Sequence, residues 1–111
     1  MLRTALWMPR KIESNYYRPI QLADIATITN LTEHAFCRSF KKATGKTFLH
    51  YLNGIRVHEA AKQLIETELS ITQIAYEVGF SNISSFNRYF KNQKKLSPSE
   101  FRKNIENYVT E

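Results

Sequence analysis

The feature that most constrains how this chain can fold is an internal repeat. Ile25-Ala26, Leu31-Thr32, Phe36, Arg38, Phe40, Lys41, Thr47 and Tyr51 return as Ile74-Ala75, Phe80-Ser81, Phe86, Arg88, Phe90, Lys91, Ser97 and Phe101. The offset is 49 residues at the start and 50 from Phe36/Phe86 onward, so the second copy holds one extra residue in its turn. Self-similarity at a fixed period means that one supersecondary unit is built twice. A length of 111 residues accommodates one compact domain, or two very small ones sharing a core.

The unit is helical. Apolar residues recur at helical spacing, no alternating Val/Ile/Thr runs occur, and only three glycines and three prolines punctuate the chain. A first helix is expected over about 8–16, with Pro9 near its first turn and Tyr17-Arg18-Pro19 ending it. Leu22, Ile25 and Ala26 give the next helix one apolar face, with Gln21 where a stronger cap would be a hydroxyl or Asp. Thr32 reads as the N-cap of a third helix, with Phe36, Phe40 and Ala43 inward and Gly45 closing it. The longest helix is expected from about Thr47 to Ile65, on a stripe of Phe48, Leu52, Ile55, Ala61 and Leu64. Ser70 to Gln73 matches a capping box, opening a short helix through Ile74, Ala75 and Val78 that Gly79 breaks. Another helix runs from about Asn82 to Asn92 on Phe86 and Phe90, and Ser97-Pro98-Ser99-Glu100 starts the last, with Phe101 and Ile105 inward. The expected fold is all-α, with seven helices.

A short helix, a tight turn and a longer helix with basic residues outward is the layout of a helix-turn-helix, whose second helix enters the major groove. Opposite the phenylalanines, the first copy presents His34, Cys37, Arg38 and Lys41, and the second Ile83, Ser84, Asn87, Arg88 and Lys91. Arg donates bidentately to guanine and Asn pairs with adenine. Lys41, Lys42, Lys91, Lys94 and Lys95 come a turn or more later, where phosphate contact is expected. A linker helix of about 19 residues spans about 28 Å, against roughly 34 Å between successive major-groove faces of B-DNA. One chain could therefore dock both helices on one duplex.

The charge supports this. The net charge is +6, and residues 30–50 and 81–96 hold eight basic residues against the single acid Glu33, a net +7. The remainder is close to neutral, whereas a generic solvated surface would spread its charge more evenly. Cys37 stands alone, excluding an internal disulfide, and its company is too poor for a zinc site. No apolar run approaches a spanning helix, and the opening residues lack a signal-peptide pattern, so a cytoplasmic, nucleoid-associated protein without membrane contact is expected.

In combination and order, several segments resemble the DNA-binding domain of the AraC/XylS family. They are Pro19-Ile20-Gln21-Leu22-Ala23-Asp24-Ile25-Ala26, Phe40-Lys41-Lys42-Ala43-Thr44-Gly45, Tyr51-Leu52-Asn53-Gly54-Ile55-Arg56, Ile74-Ala75-Tyr76-Glu77-Val78-Gly79-Phe80, Phe86-Asn87-Arg88-Tyr89-Phe90-Lys91 and Leu96-Ser97-Pro98-Ser99-Glu100-Phe101-Arg102. The match covers roughly residues 12–104. It implies two helix-turn-helix subdomains of homeodomain-like kind joined by a long central helix, and promoter binding that usually activates transcription. The domain is expected over 8–105, with the first helix-turn-helix at about 22–44, the linker helix at about 47–66 and the second at about 71–94. Residues 1–7 are then an N-terminal extension and 106–111 a tail. The DNA-contacting set becomes Thr32, His34, Cys37, Arg38, Lys41, Lys42, Asn82, Ser84, Ser85, Asn87, Arg88 and Lys91, with promoter duplex as partner and RNA polymerase as a further one. Pro9 disturbs the expected first helix, and Gln93-Lys94-Lys95 lacks the Thr-Gly often found there. Many relatives carry an additional effector-binding or dimerisation domain. The chain is either a short stand-alone member or, as its awkward start favours, a fragment, monomeric by itself and dimeric through a missing domain.

Other readings stand beside these. His34 reads a base or phosphate, or covers a solvated face; Cys37 is an apolar or thiol contact to DNA, or a redox switch. Ile83 meets a thymine methyl or covers the helix turn. Arg56 pairs structurally with Glu59 or Glu77, or meets DNA. His50 and His58 share no ligand set, and no metal or cofactor is expected. Tyr16, Tyr17, Tyr51, Tyr76 and Tyr89 are assigned to packing. A single-strand or RNA-binding module would have to expose its aromatics, most of which fall on inner faces. An enzyme would need a phosphate loop, paired acids or a nucleophile–base pattern, none of which occurs.

Overall fold

A helix begins where the first orphaned N–H groups find an acceptor, and this chain supplies short polar side chains for that purpose. In the computed structural model, which describes residues 14–19 and 22–110, Thr32 Oγ1 accepts from Ala35 N at 3.1 Å and Asn82 Oδ1 from Ser85 N at 2.8 Å. Ser70 forms the full capping box: its hydroxyl accepts from Gln73 N at 3.1 Å, and Gln73 Oε1 accepts from Ser70 N at 3.0 Å. Ser97 forms half of one. Its hydroxyl accepts from Glu100 N at 3.2 Å, but Glu100 Oε1 takes the Ser97 hydroxyl at 3.1 Å.

Six helices follow among the described residues from 22 onward: α1 (Leu22–Thr29), α2 (Glu33–Thr44), α3 (Phe48–Glu66), α4 (Ile71–Glu77), α5 (Ile83–Lys94) and α6 (Pro98–Thr110). No strand occurs among the described residues, so the all-α class holds, and six of the seven expected helices lie within the described residues. Most of the first helix expected over 8–16 lies outside the described residues, as does Gln21. Residues 14 and 15 are helical, and the chain turns at 16 and 17, ahead of Pro19.

The chain divides into two compact units, the break falling between Asn53 and Gly54 within α3. In the first, Ile25 and Ala26 of α1, Phe36 and Phe40 of α2, and Phe48 and Leu52 of α3 are buried. Phe40 meets Phe48 edge-on at 5.7 Å and Tyr51 edge-on at 5.3 Å, the geometry that aromatic quadrupoles favour. Ala43 is a correction: it is exposed, because the last turn of α2, from Lys41 to Ala43, lies wholly in solvent and the apolar stripe ends at Phe40.

In the second unit Ile74, Ala75 and Val78, with Phe86 and Phe90 of α5, are completely buried. Phe101 of α6 meets Phe90 edge-on at 5.4 Å, the counterpart of Phe40 and Tyr51 fifty positions earlier. Within α3, Phe48, Leu52, Ala61 and Leu64 of the expected stripe are buried. Ile55 is only half-buried, while Val57 and Ala60, which the large-residue stripe passed over, are fully buried.

Candidate nucleic-acid interface

Each unit must turn between its short helix and its longer one within a few residues. Both use one left-handed residue, Asn30 at φ 60° and Gly79 at φ 107°. Asn is among the few side chains that tolerate this region, and Gly does so freely. The hydrogen bonds match. Asn30 N donates to Thr27 O at 3.2 Å and Leu31 N to Ala26 O at 2.9 Å; Gly79 N donates to Tyr76 O at 3.1 Å and Phe80 N to Ala75 O at 3.0 Å. The register then slips by one. Thr32 caps α2 directly after Leu31, whereas Asn82 caps α5 with Ser81 intervening after Phe80. Ser81 is therefore the extra residue, and Asn82, not Ser81, is the counterpart of Thr32.

Beyond the caps α2 and α5 correspond residue for residue. With their phenylalanines buried, the opposite faces are fixed by the helical period alone. In α2, His34, Arg38, Lys41 and Lys42 are exposed and Cys37 is half-buried, and Thr32 is exposed at the cap. In α5, Ser84, Asn87, Arg88 and Lys91 are exposed, Ser85 is half-buried and Asn82 is exposed at its cap. The expected residues thus gather into one stripe per unit. Two carry a second duty: the Thr32 hydroxyl oxygen and the Asn82 side-chain oxygen accept the capping bonds, which leaves the Thr32 O–H and the Asn82 amide N–H groups for an outside acceptor. Lys94 is half-buried and Lys95 exposed.

The two stripes differ chemically. Glu33 lies in the first turn of α2, while α5 contains no acid. Arg88 lies over the ring of Tyr89, its guanidinium carbon 5.5 Å from the centroid. Tyr89, expected only to pack, therefore also touches the polar face. Arg56 is buried, with its guanidinium over the Phe80 ring at 5.9 Å, and burial depresses its proton affinity below the usual arginine range. Glu59, one of the partners expected for it, forms an ion pair with Lys62 at 3.8 Å.

Two supports were not legible in advance. Arg102 donates from Nη1 to Leu69 O at 2.7 Å, from Nη2 to Thr67 O at 3.2 Å and from Nε to Leu64 O at 3.3 Å. It satisfies carbonyls at and beyond the end of α3. Gln93 Nε2 donates to Gly54 O at 3.3 Å, bracing the end of α5 against α3. Both joins span more than thirty residues, a separation at which no local spacing rule operates. Among the described residues no cluster of three potential metal ligands occurs, and no helix is long and apolar enough to cross a membrane.

A duplicated helix-turn-helix with a basic outer stripe on each second helix defines a bipartite DNA-binding domain. Comparison with known proteins agrees: the family described as "Helix-turn-helix domain" matches residues 25–104. The chain belongs to that family, of the AraC/XylS type. It is 35% identical over 95 residues to the HTH-type transcriptional activator RhaS of Mannheimia succiniciproducens, covering 86% of this chain and 35% of that protein. Among solved structures, the C-terminal domain of AraT, a response regulator from Geobacillus stearothermophilus, superposes with a TM-score of 0.84 at 28% identity, covering 91% of this chain and 84% of that one. A transcriptional regulator with an AraC-type DNA-binding domain from Chromobacterium violaceum gives 0.77 at 28%, covering 94% and 90%. The chain spans about half or less of the length of several curated relatives that it matches.

Proposed function

We propose that this chain is the DNA-reading part of a bacterial transcription regulator, binding promoter duplex in a sequence-specific manner and activating transcription. The carrying observation is the duplicated stripe: Arg38 and Lys41, and Arg88 and Lys91, are exposed at matching positions opposite buried phenylalanine pairs. Arg38 and Arg88, with Asn87, are the base-reading residues. Lys41, Lys42, Lys91 and the Asn82 amide hold phosphates, while Thr32, His34, Cys37, Ser84 and Ser85 complete the contact set. The α2 and α5 helices enter successive major-groove segments of one duplex, so that a single chain covers two half-sites. The length of α3, 19 residues or about 28 Å, supports that reach.

Activation, with RNA polymerase as the partner, is drawn from the likeness to RhaS, itself described as an activator. The isolated domain is monomeric, and a longer protein carrying it dimerises through a further domain. A cytoplasmic, nucleoid-bound location and the absence of enzymatic chemistry belong to the same reading. Burial of Phe36, Phe40, Phe86 and Phe90 argues against a single-strand stacking platform.

Selection of bound sequences from a random duplex library tests this directly. Two short motifs about one helical turn apart, roughly 10–10.5 base pairs, are expected, with one chain per minimal site in sedimentation. No enriched motif, or two chains per minimal site, overturns the reading.

A further inference from the structure

The repeat invites a comparison between its two arginines. Arg38 and Arg88 occupy matching positions, both exposed, yet their surroundings differ. Arg88 lies over Tyr89 at 5.5 Å. The half-buried Tyr89 ring lies against Phe80 at 6.1 Å, tilted by 38°. Phe80 is buried and is fixed in turn by Phe86, edge-on at 5.3 Å, and by the buried Arg56 guanidinium at 5.9 Å. A column of two adjacent rings with a guanidinium at each end thus runs from Arg56 in α3 through Phe80 and Tyr89 to Arg88 on the outer face. In the first unit the matching positions hold Leu31 and Ser39. Among the described residues, no ring lies under Arg38.

The physical consequence follows from how an arginine recognises a base. Its five donors lie in the guanidinium plane, while its faces stack. A ring beneath one face restricts a long, rotamer-rich side chain without using any donor. Among the described residues nothing hydrogen-bonds the Arg88 guanidinium, so its donors remain free for a base edge. Order already present in the free protein need not be imposed on binding.

We propose that Tyr89 is a positioning residue for Arg88, and that the second unit consequently discriminates the base pair read by Arg88 more sharply than the first discriminates the one read by Arg38. The inference rests on Arg88 being a base reader. The α5 position after the reading arginine, which faces neither the DNA nor the core squarely, thereby becomes a determinant of specificity.

The test uses the duplex selected from the random library and single-base-pair variants of it, by anisotropy titration of Arg88→Ala, Tyr89→Phe, Tyr89→Leu and Ser39→Tyr, with helicity checked by circular dichroism. Tyr89→Leu keeps apolar cover but removes the π face; it is expected to lose roughly two- to five-fold of the preference at the base pair read by Arg88. Tyr89→Phe is expected to keep that preference, and Ser39→Tyr to sharpen the preference at the base pair read by Arg38. A merely structural role for Tyr89 would weaken all duplexes alike and leave the ratios unchanged. Wild-type ratios in Tyr89→Leu, or an equal loss on every duplex, overturn the positioning role while leaving Arg88 as a reader. Unchanged ratios in Arg88→Ala overturn the base-reading role, and positioning with it. Should Tyr89→Leu unfold, an unsharpened Ser39→Tyr overturns the proposal.

Discussion

Lys95 stands at φ 67° where its counterpart Gly45 stands at φ 78°. Both close a longer helix, donating N–H to Lys91 O at 2.8 Å and to Lys41 O at 2.7 Å respectively. Outside glycine, the left-handed region brings Cβ against the backbone at a cost of about 1–2 kcal/mol, part of which glycine offsets through its greater freedom when unfolded. Lys95→Gly is therefore expected to stabilise the protein by about 1 kcal/mol, read as a raised urea midpoint at unchanged slope. Gly45→Ala tests the same physics in reverse. A Cβ there meets nothing within 4 Å, so a loss of about 1 kcal/mol would come from the backbone alone. A midpoint that does not move in either variant would show that these turns relax without strain.

Elements that announce themselves locally were legible: the Ser70 capping box, the Thr32 cap and the Gly45 terminus all occur as their short-range spacing dictates. The α2 and α5 faces were legible because one period governs both burial and exposure. What escaped depends on distant packing. Val57 and Ala60 are small, so hydrophobic size understated their burial. Ala43 has the right spacing for an inner face, but α2 outruns the core there. Arg102 is the largest such case, since α6 must already be docked before its guanidinium meets the three carbonyls at the end of α3. Arg102→Ala should cost the second unit about 1.5–3 kcal/mol, the range for hydrogen bonds to a charged group, and Arg102→Lys should recover only part, lacking the planar fork. Hydrogen exchange at the end of α3 would read the effect; protection unchanged in Arg102→Ala would remove the capping role.

At the scale of the whole molecule, base readers and phosphate holders should separate by their dependence on salt and sequence. Arg88→Ala is expected to cost roughly 1–3 kcal/mol on the preferred duplex and little on a scrambled one, whereas Lys91→Ala should weaken both alike and reduce the salt slope by about one. Titrations at several salt concentrations decide it, and equal losses on both duplexes for Arg88→Ala would sink its role as a reader. Each unit holds itself with inward rings, cap oxygens and main-chain turns, leaving Arg38 and Asn87 tied to the fold by little beyond helix geometry and Arg88 by one ring face. A lineage could therefore rewrite the address read by one unit, one residue at a time, while the other unit keeps the protein anchored at its old site. Duplication within a single chain makes such gradual change of allegiance possible without passing through a protein that binds nowhere.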